Sequence, residues 1–82
     1  MKNTVCEVLW GDAWIDTADL SRKKARKLKP IMRTTIGFLV DQNEEAIVLC
    51  TDTFQKDAET INAPMVIPLG MVKKWWVYVV TP

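Results

Sequence analysis

The sequence predicts a mainly β protein of one small domain, five strands curling into a barrel with one short surface helix. Three observations carry that expectation. β-branched and aromatic residues gather in short runs bounded by Gly, Pro, Asn and Asp, the pattern of strands and turns. Two of these runs are joined by a five-residue polar tract, Asp41–Glu45, as in a β-hairpin. A third apolar run is interrupted by Pro68, which donates no ladder hydrogen bond, and by Gly70, so it must break into two strands. With 82 residues there is room for only one core, and 49% hydrophobic and 26% charged residues are a globular balance.

In chain order, Thr4–Trp10 reads as a first strand ended by the turn dipeptide Gly11-Asp12. The signals then change to those of a helix over 18–28: Asp16 or Thr17 as cap, Asp19 in the first turn, lysines at the end, and Pro30 as a stop. Its apolar stripe, Leu20 and Leu28 with Ala25 nearby, is thin, so the helix should be weakly anchored. Arg33–Val40 and Ala46–Thr51 form the hairpin, with Gly37 in mid-strand suggesting a bend or bulge that helps the sheet curl. Residues 52–63 read as a loop. Two more strands, about 64–67 and 72–80, flank a tight turn.

The last strand contains Trp75-Trp76-Val77-Tyr78-Val79-Val80. Side chains alternate across a strand, so Trp75, Val77 and Val79 share one face and Trp76, Tyr78 and Val80 the other. One set can fill a core. The other has to be covered by the helix, a neighbouring subunit or a partner, because monomers seldom expose a large apolar patch. Trp75, Trp76, Tyr78 and Val80 are therefore the candidate interface, and a homo-oligomer is the expected state.

Catalytic patterns are sparse. There is no histidine, which removes the commonest general base and the usual imidazole metal ligand. Cys6 and Cys50 are far apart with no CxxC pair, so free, buried thiols are expected and not a zinc site. The three isolated glycines, Gly11, Gly37 and Gly70, form no phosphate loop. We expect neither cofactor nor metal, and no enzymatic activity. Asp12 and Asp16 read as turn and cap residues before they read as a catalytic pair. Trp10, Asp12 and Trp14 are a candidate ligand platform on which a flat ring could stack, though core packing is the favoured reading of the two tryptophans.

The net charge of +1 conceals a segregation. Residues 22–33 carry seven basic side chains and no acid, while the segments on either side are each net acidic. Arg22, Lys23, Lys24, Arg26, Lys27 and Lys29 form a candidate basic partner surface for phosphates or an acidic protein, or simply a solvated segment. No charge-free stretch approaches the ~20 residues that span a bilayer, and no export signal stands at the N-terminus, so a cytoplasmic protein is expected.

Ile67-Pro68-Leu69-Gly70-Met71-Val72 resembles the strand, short 3₁₀ turn and strand that end SH3-like and Sm-like barrels. Together with Trp10-Gly11-Asp12-Ala13, Thr35-Ile36-Gly37-Phe38-Leu39-Val40 and Ala46-Ile47-Val48-Leu49, it also resembles, in type and order, a group of small bacteriophage and prophage proteins that are mostly uncharacterised. The basic block and the paired tryptophans are not part of that pattern. The resemblance implies a phage accessory protein in the host cytoplasm. The functional expectation is non-enzymatic binding of a host protein or a sequestered small ligand; the alternative is a nucleic-acid-binding barrel that uses residues 22–29.

Overall fold

A computed structural model of the chain describes residues 4–54, 56–57 and 59–80. Five strands form one antiparallel sheet: β1 (Thr4–Asp12), β2 (Ile31–Gln42), β3 (Ala46–Cys50), β6 (Met65–Pro68) and β7 (Val72–Val79), in the order β6-β3-β2-β1-β7. Two short strands, β4 (Asp52–Thr53) and β5 (Ile61–Asn62), pair separately, and among the described residues the one α-helix, α1, spans Arg22–Ala25. The mainly β class with one short helix therefore holds. The sheet is not closed by hydrogen bonds: β6 and β7 are its two edges, joined only through the 3₁₀ turn Leu69–Met71.

The core follows from alternation along β1, where Cys6, Val8 and Trp10 are buried and the residues between them are not. Opposite them stand Ile47 and Leu49 of β3 and Ile67 of β6, all at most 1% exposed, with Leu39, Leu69 and Val72 packed against the cluster. Trp10 would bury its indole N–H unpaired, but that group donates to Thr35 Oγ1 at 2.9 Å. This core occupies only part of a long molecule. The described residues measure 54 × 22 × 21 Å with a radius of gyration of 16.3 Å, against roughly 12 Å for a compact chain of this length.

Several elements differ from the sequence expectation. Gly11-Asp12 is not a turn: β1 continues through it, pairing Gly11 with Met32 and Asp12 with Ile31, because β2 starts at Ile31 and offers a partner that overrides the local turn preference. The helix is four residues long where 18–28 was expected. Its cap is Ser21, whose Oγ accepts from the Lys24 amide at 3.2 Å, while Asp16 closes a local turn by accepting from the Ala18 amide. No residue of α1 is buried, and a helix without a packed face has little to extend it.

The 52–63 segment, expected as a loop, carries the β4–β5 ladder; Gln55 and Ala58 within it lie outside the described residues. Gly37 stays in regular register opposite Cys6, and the bulge falls instead at Val40, between Leu39 and Asp41. What requires glycine at 37 is a close approach, since a Cβ there would stand 2.7 Å from the Cys50 carbonyl oxygen. A second bulge lies in β7, where Leu9 pairs with Lys74 and Trp10 with Val72, leaving Lys73 without a cross-strand partner.

Candidate functional site

Strand β7 places three of the expected interface residues, Trp75, Trp76 and Tyr78, on an open edge, and the fourth, Val80, lies just past its end. Register with β1 sets Trp75 beside Val8 and Val77 beside Cys6, on the core face, and Trp76 beside Glu7 and Tyr78 beside Val5, on the outer face. The outer set continues across the sheet, because Glu7 pairs with Ile36 and Val5 with Phe38. The expectation that one set fills the core is corrected: Trp75 and Trp76 are 41% and 42% exposed, and Val77, Tyr78, Val79 and Val80 are more exposed still. An edge strand has a neighbour on one side only, and α1, with nothing buried, covers neither face. The Tyr78 hydroxyl donates to Glu7 Oε1 at 3.1 Å, and that hydrogen bond, with the carboxylate charge, holds the phenol above its usual pKa.

The candidate platform separates. Trp10 belongs to the core, whereas Asp12 and Trp14 line a cleft of about 800 Å³ between the 13–30 segment and the β6–β7 corner. Its apolar walls include Trp14, Leu28, Pro30, Met32 and Met71. Pro30 crosses β1 closely at Gly11, where a Cβ would meet the proline Cβ at 3.1 Å. Trp14 is pinned across the cleft by its indole N–H, which donates to the Lys29 carbonyl at 2.7 Å. Asp12 is engaged by Arg33, whose Nε stands 2.6 Å from Oδ2. Lys29 and Lys73 also line the cleft.

Of the basic segment, Arg22, Lys23, Lys24, Arg26, Lys27 and Lys29 are all exposed, and among the described residues none of them forms an ion pair. Cys6 and Cys50 are buried free thiols. Burial raises both above the ordinary thiol pKa, and the Asp52 charge raises Cys50 further. Among the described residues no three His, Cys, Asp or Glu side chains gather as metal ligands, and no helix is long and apolar enough to cross a membrane.

Sequence reasoning missed the cleft. Lys29 and Lys73 come to line the same cleft through tertiary structure alone, and the only local signal would have been a bulge in β7, which Lys73-Lys74 does not announce. Compared with known proteins, the chain matches no family model, no curated protein and no solved structure.

Proposed function

We propose that this protein is a non-enzymatic binding module that works as a self-associated assembly, with β7 as the contact between copies. One observation carries the reading: β7 is an unpaired edge whose two faces are both apolar, aromatic and about half open to water. Such an edge offers a row of free backbone N–H and C=O groups together with greasy side chains, which favours strand pairing with another chain.

Charge favours a second copy in antiparallel orientation. Lys73 and Lys74 sit at one end of the strand and no acid lies on it, so parallel pairing would set lysine beside lysine while antiparallel pairing sets lysine beside valine or tyrosine. Area points the same way. Aromatic side chains present ~150–250 Å² each, so the exposed fractions of Trp75, Trp76 and Tyr78 leave about 250 Å² per copy. That is nearly a third of the ~800 Å² a standard interface takes from each partner, before the valines are included.

Within the assembly we read each sheet as a small barrel of the SH3-like or Sm-like kind, because the two edge strands meet at a three-residue 3₁₀ turn. The phage accessory role rests on sequence resemblance alone. Light scattering tests the association: a mass that is a multiple of the 9.4 kDa chain supports it, and a dispersed 9.4 kDa species at all concentrations overturns it.

A second reading, nucleic-acid binding through residues 22–29, draws on the exposure of those six cations. It requires retention of DNA or RNA that falls steeply with salt and is lost on neutralising Lys23, Lys24, Arg26 and Lys27.

A further inference from the structure

We propose that the cleft between the 13–30 segment and the β6–β7 corner binds a small amphipathic anion, with an apolar body against Trp14, Met32 and Met71 and an acid head facing Lys29 and Lys73. The site is formed within one chain, so it stands apart from the self-association reading. Its volume of about 800 Å³ lies in the ~300–1,000 Å³ range of small-molecule sites.

The two polar groups best placed to read the edges of a polar ring are already engaged: the Trp14 indole N–H by the Lys29 carbonyl, and the Asp12 carboxylate by Arg33. What remains for the body of a ligand is apolar wall. For its head, the charge balance is positive. Asp12 is matched by Arg33, and among the described residues Lys29 and Lys73 form no ion pair.

The backbone supports this placement of Lys73. It is the extra residue of the β7 bulge, and bulges re-aim a side chain out of the regular alternation. Here the bulged residue and its neighbours Met71 and Val72 are all cleft-lining. Trp14, held by its hydrogen bond, presents a wall that is already ordered before a ligand arrives.

The test titrates the full chain, as wild type and as Trp76→Asp, with 1-anilinonaphthalene-8-sulfonate and with uncharged N-phenyl-1-naphthylamine, which shares its ring system. Amide chemical shifts locate the probe. The expected result is saturable binding of the sulfonate in both proteins, with shifts around Trp14, Met32 and Met71 and an affinity about tenfold above that of the neutral probe at low salt. Lys29→Glu with Lys73→Glu, or the milder Lys29→Gln with Lys73→Gln, should abolish that preference; both lysines are exposed, so the fold should survive. Equal affinity for the two probes overturns the proposal. So does sulfonate binding that survives both double variants, shifts confined to β7, or an absence of saturable binding.

Discussion

Replacing Trp76 by aspartate places a charge in the middle of the outer face of β7. Trp76 is 42% exposed in the single chain, so pairing of two copies can hide about 80 Å² of a tryptophan's ~150–250 Å² on each side. At roughly 25 cal/mol per Å² that is about 2 kcal/mol per copy and about 4 kcal/mol for a two-fold contact, close to a 10³-fold change in the dissociation constant. Desolvating the new carboxylate weakens the contact further. Glu7 is the cross-strand partner of Trp76, so aspartate also creates a like-charge pair within the subunit, which costs it roughly 0.2–1 kcal/mol. Trp76→Lys removes that complication, since lysine faces Glu7 favourably while still charging the contact. Sedimentation velocity over a hundredfold range of concentration is the assay, with circular dichroism to follow the β-rich fold. Both variants should sediment as single chains where the wild type is associated. The reasoning is refuted if the wild type is itself a single chain throughout, or if the lysine variant associates as strongly as the wild type.

Ile47→Ala removes a fully buried side chain from the centre of the core and should lower unfolding free energy by about 2–5 kcal/mol in urea denaturation. Gly37→Ala drives a methyl group against the Cys50 carbonyl, a backbone atom that cannot simply rotate away, and should cost about 1–3 kcal/mol in the same assay. Cys6 and Cys50 should resist iodoacetamide in the native protein and react once it is unfolded, as mass spectrometry would show. Because their folded pKa values are raised, the unfolded chain loses thiol protons first as pH climbs. Their contribution to stability is therefore complete at neutral pH and declines above the ordinary thiol range, visible as a falling thermal midpoint.

The hairpin of β2 and β3, the strand–turn–strand ending and the opposite facing of Trp75 and Trp76 were legible because each follows from local residue type or a period of two. Burial of Cys6 and Cys50 was legible from the apolar runs that hold them, whereas Trp10 and Trp14 read alike in the sequence and only Trp10 packs into the core. The reach of β1 through Gly11-Asp12 was not, since it depends on a partner strand beginning nineteen residues later, at Ile31. The helix was overextended because capping and charge signals score a helix without knowing whether any layer awaits its apolar stripe. The cleft was illegible for a different reason: it joins Trp14 and Lys29 of the 13–30 segment to Met71 at the β6–β7 corner, and no window of sequence contains all three.

The pairing of Thr4 with Val79 joins positions seventy-five residues apart. While the ribosome is still making the chain, β1 can dock on β2 but its other flank stays bare until β7 emerges. Folding is consequently governed by a late, distant closure and not by local zippering, which slows it and lengthens the interval in which a nascent strand flank can pair with the wrong neighbour.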